Sequence, residues 1–100
     1  MVTKATTTVK VDTTNIDYDK LKSGLNNLTG RDFEEAERAA RALGDTSPEI
    51  TFSKRFQCIL AAKALGMIPD DIQDLKIADY TAVTLTVFNF LAGSMGTLAQ

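Results

Sequence analysis

The stretch from Ser47 to Gly66 constrains the fold most, because its middle is apolar on more than half the circumference of a helix. Ser47 is a suitable N-cap, Pro48 fits the first helical position, and Gly66 suits the left-handed residue that often ends a helix. Apolar residues fill two neighbouring faces between these signals: Phe52, Phe56, Cys58, Ile59, Leu60, Ala61, Ala62 and Leu65. Such a helix must be covered on two sides, so we predict that it is the central helix of a small domain.

Composition limits the classes of function. The chain has 100 residues, of which 44% are hydrophobic, enough for a single core. Its net charge is −2 and its basic residues are scattered, which argues against binding nucleic acid or a membrane surface. No unbroken apolar run reaches the roughly 18 residues that a membrane span needs, and the N-terminus lacks the apolar core of a signal peptide. With a single cysteine there is also no internal disulfide, so we expect a cytoplasmic protein.

Residues that could carry chemistry are few. The chain has no histidine, and its one cysteine, Cys58, lies among apolar residues without a base to activate it. Carboxylates cluster at residues 32–37 and 70–74, but both clusters lie at predicted helix starts, where capping and the helix dipole account for them. Glycine-rich phosphate motifs are absent. We therefore predict a protein that is not an enzyme and needs no metal or cofactor.

The N-terminal third carries weaker signals. The Thr-rich segment 1–15 has strand character in TTTVKVD, and residues 15–18 alternate as a second strand of a hairpin would. A frayed tail over residues 1–13 is the alternative. Leu21, Leu25 and Leu28 are spaced for a helix, but Gly24 and the asparagines between them favour only a short turn.

Helix signals are stronger beyond Leu28. Thr29 and Asp32 form a capping-box spacing before an apolar stripe that Gly44 ends, and Pro69 opens one or two further helical turns. Residues 77–93 alternate partly like a strand, but their length favours a helix that stops at Gly93.

Together these signals predict a mainly α fold. We expect a small bundle of three to four helices over residues 16–93, with a short N-terminal strand or hairpin, or a tail, over residues 1–15. Residues 94–100 are expected to form a mobile C-terminal tail.

Three motifs point to a known family: LTGRD…EAE…A…LGD, then RFQ…AAK, then a terminal NFL, all between Leu28 and Leu91. In these the chain resembles the small tail assembly chaperones of tailed phages and prophages. The resemblance implies a helical, often oligomeric protein in the cytoplasm of the bacterial host. It also implies the function of binding the long, apolar, helical tape-measure protein before the tail tube polymerises around it.

A chaperone of this kind needs exposed apolar surface. On the last predicted helix, Leu85 falls far from the inward stripe, and Phe90 lies at its other edge. We predict a groove that binds partner helices and is lined by Phe52, Phe56, Leu85, Phe88, Phe90 and Leu91. The alternative is that these residues form the core or a homodimer interface.

A second class of function is a structural phage subunit. In that case the N-terminal strand would pair between chains, and the protein would self-assemble without any tape-measure protein.

Overall fold

A computed structural model describes the backbone of residues 16–99 and the side chains of residues 16–93. This part of the chain contains no β-strand, and the mainly α prediction is confirmed. Its five α-helices, with a 3-10 turn before the third, are α1 (Tyr18–Asn27), α2 (Gly30–Ala42), the turn (Ile50–Phe52), α3 (Lys54–Leu65), α4 (Pro69–Gln73) and α5 (Ile77–Ala99).

The helix α3 lies at the centre of the domain, as predicted. Every residue from Phe56 to Ala62 is buried. The other four helices and the 3-10 turn all pack against α3, and α5 also contacts α1. The short α4 begins at Pro69, as the sequence predicts, and buries Ile72 against this core. A helix that is apolar nearly all round is thus covered on all sides.

The predicted start of the central helix at Ser47 and Pro48 is wrong. Ser53 is the N-cap of α3, and its Oγ accepts the N–H of Phe56 at 3.1 Å. Ser47 is instead held in the loop, where its carbonyl accepts a hydrogen bond of 2.6 Å from Arg41. Because the chain turns at Ser53, Phe52 leaves the helical face that Phe56 occupies. The helix ends as predicted, with Gly66 in the left-handed region at φ 73°.

The segment that the sequence predicts as a short turn is the full helix α1. Asp17 caps it by accepting the N–H of Lys20 at 3.0 Å, and Leu21 and Leu25 are buried. Since Tyr18 is the first residue of α1, the predicted second hairpin strand at residues 15–18 is wrong. The predicted first strand, within residues 1–13, lies outside the described residues.

The predicted helix over residues 77–93 is confirmed, but its predicted stop is wrong. The backbone of α5 stays helical past Gly93 to Ala99, so the predicted domain boundary at residue 94 falls inside the helix. A glycine inside a helix costs only about 1 kcal/mol relative to alanine, and no proline follows it here. The threonines that mimic a strand pattern fit the helix because their hydroxyls donate to preceding carbonyls, as Thr86 does to Ala82 at 2.7 Å.

The helix α2 forms where local signals predict it. Thr29 and Asp32 make the reciprocal capping box, and the Asp32 carboxylate accepts the Thr29 N–H at 2.9 Å. Ala36 and Ala40 are buried against the core. On the neighbouring α3, Lys63 lies 3.1 Å from the carboxylate of Glu35 and so ties the two helices together.

Helices α1 and α3 approach each other closely at Gly24. A Cβ atom at this position would overlap the carbonyl oxygen of Ala64 and lie 2.8 Å from its carbonyl carbon. Both are backbone atoms of a packed helix and cannot rotate away. Only glycine therefore permits this helix crossing.

We predict that Gly24→Ala destabilises the domain by about 1–3 kcal/mol, the usual cost of overpacking, although alanine favours helix more than glycine does. The matched control is Gly30→Ala, because a Cβ there meets nothing within 4 Å. Urea unfolding followed by circular dichroism measures both variants. Equal stability of Gly24→Ala and wild type would contradict the close approach.

Candidate apolar binding surface

Several large apolar side chains of this small domain lie on its surface. Phe52 is 66% exposed and Leu85 is 51% exposed. Both are near Phe88: the rings of Phe52 and Phe88 have centroids 5.4 Å apart, and Leu85 precedes Phe88 by about one turn of α5. We name Phe52, Leu85, Phe88, Phe90 and Leu91 together the α5 surface.

One cleft of this surface lies between the 3-10 turn and α5. Its lining consists of Glu49, Thr51, Phe52, Phe88, Leu91 and Ala92. The two aromatic rings form one wall at a tilt of 33° between their planes. Such a cleft accepts an apolar side chain from a partner.

A second, wider cleft lies where α1, α2 and α5 meet. Its lining consists of Leu25, Leu28, Thr29, Gly30, Phe33, Glu34, Glu37, Leu60, Phe90 and Leu91. Leu91 lines both clefts, so the two clefts adjoin at this residue in the C-terminal half of α5.

Four of the predicted site residues line these clefts: Phe52, Phe88, Phe90 and Leu91. Leu85 lines neither cleft but lies beside them on the outer face of α5. The prediction for Phe56 is wrong. It is fully buried, and its ring packs edge to face on Phe33 with centroids 4.8 Å apart. It belongs to the core because α3 begins only at Lys54, so Phe52 precedes the helix and lies off the face that carries Phe56.

Sequence reasoning missed the residues that α1 and α2 contribute, namely Leu25, Leu28 and Phe33. Their helical spacing is visible in the sequence, but α1 itself was expected to be only a turn. The second cleft requires all three helices, so no single stretch of sequence carries its signal.

The charges nearest the α5 surface are mainly acidic, although Lys22 lines a neighbouring cleft together with Phe90. The charged residues that line its two clefts are glutamates: Glu34, Glu37 and Glu49. Glu37 is paired with Arg41 at 3.3 Å, within α2. From Tyr80 to Ala99 the chain carries no charged residue at all. An uncharged apolar floor with glutamates at its margin favours a partner that is apolar along one face and basic at the edges.

A network of hydrogen bonds fixes the loop that carries Phe52. The Asp45 carboxylate accepts the Ser47 N–H at 2.8 Å and the hydroxyl of Ser53. Hydrogen bonds from Ser47 and Ser53 hold the pKa of Asp45 at about 2, below its ordinary value of 3.8. From the core side, the buried Gln57 donates through Nε2 to the Thr51 carbonyl at 2.7 Å. These hydrogen bonds fix the backbone of the 3-10 turn that carries Phe52.

Reactive groups are separate from this surface. The Cys58 thiol is buried and donates weakly to the Pro69 carbonyl at 3.5 Å. Burial raises the pKa of this thiol to about 11, which keeps it protonated at neutral pH. Within the described residues, no group of three or more His, Cys, Asp or Glu side chains is placed to hold a metal ion. The chemistry that the α5 surface offers is apolar contact.

None of the helices in the described part of the chain is both long and apolar enough to cross a membrane. The chain matches no protein-family model, no curated protein and no solved structure.

We predict that Asp45→Asn lowers the thermal midpoint of unfolding at pH 7, because the charged acceptor of the loop is lost. The pKa of Asp45 is lowered on folding, so the stability it provides is present above pH 3.8 and is lost as the pH falls toward 2. The difference between variant and wild type should therefore shrink over that range. Thermal unfolding at several pH values measures it.

The matched control is Thr46→Ala, which changes an exposed residue of the same loop and should unfold as wild type does. A difference between Asp45→Asn and wild type that stays constant from pH 5 to about pH 2 would contradict a carboxylate role for Asp45.

Proposed function

We propose that this chain is a phage tail assembly chaperone. It binds the apolar, helical tape-measure protein in the cytoplasm of the bacterial host and keeps it soluble until the tail tube assembles around it. The α5 surface is the observation that carries this proposal, since it presents two largely apolar clefts that adjoin at Leu91. The choice of partner comes from the resemblance of the segment from Leu28 to Leu91 to the tail assembly chaperone family.

The shape of the surface suits a helical partner. Both clefts lie between helices or beside a helix, and they follow α5 from Phe88 through Leu91. An amphipathic helix binds such a groove by inserting side chains spaced three and four residues apart. Glu34 and Glu49 at the margins would meet basic residues that flank the apolar stripe of that helix.

The exposed side chains contribute part of the binding free energy. Fully burying a Phe or Leu contributes about 1.5–3 kcal/mol, and Phe52 and Leu85 are 66% and 51% exposed, so each contributes a share of that value. Because association itself costs several kcal/mol, contacts in the two clefts must supply the rest. Binding would also cover apolar surface of the tape-measure protein through which it would otherwise aggregate.

The sequence also suggested a structural subunit that self-assembles through an N-terminal strand. That strand falls in residues 1–15, which lie outside the described residues, and this alternative stays a prediction.

Co-expression with the tape-measure protein encoded in the same genome tests the proposal. We expect the tape-measure protein to be soluble only alongside this chain, and the two to co-purify as a stable complex. A tape-measure protein that is equally insoluble with and without this chain would overturn the proposal.

We predict that Leu85→Asp and Phe52→Asp each reduce the soluble complex about tenfold or more, because a charge replaces apolar contact in the interface. Neither should lower the thermal midpoint greatly, since both side chains are more than half exposed. The control is Ile77→Asp on the same helix: Ile77 is 82% exposed and lines neither cleft. Yield of soluble partner and thermal unfolding are measured for all three.

If Ile77→Asp reduced the complex as much as the other two variants do, the cause would be a general effect of surface charge. That result would count against the α5 surface as the binding site. Unfolding of Leu85→Asp would place Leu85 in the core instead.

A further inference from the structure

The N-terminal segment, residues 1–15, joins the domain beside the first turns of both α1 and α5. The Tyr18 hydroxyl donates to the Asp79 carboxylate at 3.3 Å, and this hydrogen bond links the starts of the two helices. Just before α1, Ile16 packs against the core. The point at which the segment joins the domain is therefore held next to the start of α5.

The helices α1 and α5 run side by side in the same direction. Beyond their linked starts they share a groove, which is lined by Lys22, Ser23, Asn26, Thr86, Asn89 and Phe90. Farther along, Leu25 and Leu28 of α1 and Phe90 of α5 line the wider cleft of the α5 surface. Phe90 follows Asp79 by 11 residues. This is about 17 Å along a helix that rises about 1.5 Å per residue.

The N-terminal segment is long enough to reach that cleft. An extended chain spans about 3.3 Å per residue, so about five residues cover the distance. Counted back from Ile16, the fifth residue is Val11, and in an extended chain Val9 lies on the same side as Val11. Both valines are thus within reach of the apolar floor of the wider cleft.

The charges of the segment and of the domain are complementary. Residues 1–15 carry two lysines and one aspartate, whereas residues 16–100 carry nine basic and twelve acidic residues. At the margin of the wider cleft, Glu34 has no ion-pair partner among the described residues. Lys22 lies in the shared groove nearer the joining point, on the side where Asp12 precedes the valines. Each charge along this path can therefore meet its opposite.

We propose that the N-terminal segment binds in the wider cleft of its own molecule. Val9 and Val11 cover the apolar floor, and Lys10 between them pairs with Glu34. The covalent connection makes a weak contact effective, because a short linker holds its end at an effective concentration of about 1 mM. A contact with a Kd of about 1 mM is then about half formed.

This contact regulates the α5 surface, a consequence that rests on the proposed function. While the partner is absent, the segment covers apolar surface that would otherwise associate nonspecifically. The cleft between the 3-10 turn and α5 stays open, so a tape-measure helix binds there first. It then displaces the segment from the wider cleft, because the two clefts adjoin at Leu91.

Tryptophan fluorescence of the full chain tests the contact, since the chain has no native tryptophan. Val9→Trp places an indole at the contact, and Thr46→Trp places one at an exposed loop position as the control. We expect the indole of Val9→Trp to emit at shorter wavelength and to be quenched several-fold less by acrylamide. Circular dichroism checks that both variants are folded.

Equal quenching of the two variants would overturn the proposal. Protection of the indole that increases with protein concentration would overturn it as well, because the segment would then bind a second copy of the chain.

The pairing of Lys10 with Glu34 is tested in the Val9→Trp background. Glu34→Lys and Lys10→Glu should each raise quenching toward the control value, and the two changes together should restore protection. The matched control is Glu49→Lys, which changes an exposed glutamate of the other cleft and should leave quenching unchanged. A double variant that is quenched as strongly as the single variants would overturn the pairing. An equal effect of Glu49→Lys would overturn the choice of cleft.

These fluorescence measurements do not use the tape-measure protein, so their outcome is independent of the chaperone function. Displacement by the partner is tested separately by co-expression. Lys10→Glu should increase the yield of soluble complex several-fold, because it weakens the competing segment. An unchanged yield from a variant that has lost protection of the indole would overturn displacement. Absence of any complex with wild type would instead overturn the proposed function.

Discussion

The burial of α3 on all sides is the constraint on which the rest of the structure depends. A helix with apolar residues nearly all round is stable in water only when neighbours cover it, and here every other helix packs against it. Small residues make this crowding possible: Ala61 and Ala62 lie on α3 itself, and Gly24 lets α1 approach the backbone at Ala64. The helix α5 packs with one side against α3 and α1. The other side of α5, which carries the exposed Leu85, faces outward. The α5 surface is thus a consequence of how the core is closed.

The clefts are continuous with the core. Leu28, Phe33, Phe90 and Leu91 pack against buried residues and also line the wider cleft. A helix bound there would extend the packing of the domain, and the same side chains would serve both stability and binding. Only Phe52 and Leu85 are exposed enough for a substitution to separate the two effects. Substitution of the half-buried members therefore reports on folding as well as on binding.

Local signals were sufficient wherever the responsible contacts are local. The capping box of Thr29 and Asp32, the start at Pro69 and the left-handed Gly66 each involve residues a few positions apart, and the structure has all three. Ser47 and Ser53 are both acceptable N-caps, and the choice between them depends on Asp45, Arg41 and Gln57, which tertiary packing brings to the loop. The helix α1 was missed for a related reason. Its Gly24 weakens an isolated helix but is what the contact with α3 requires. The error at Phe56 follows from Ser53, because one break in the helix moves Phe52 to the surface and leaves Phe56 inside.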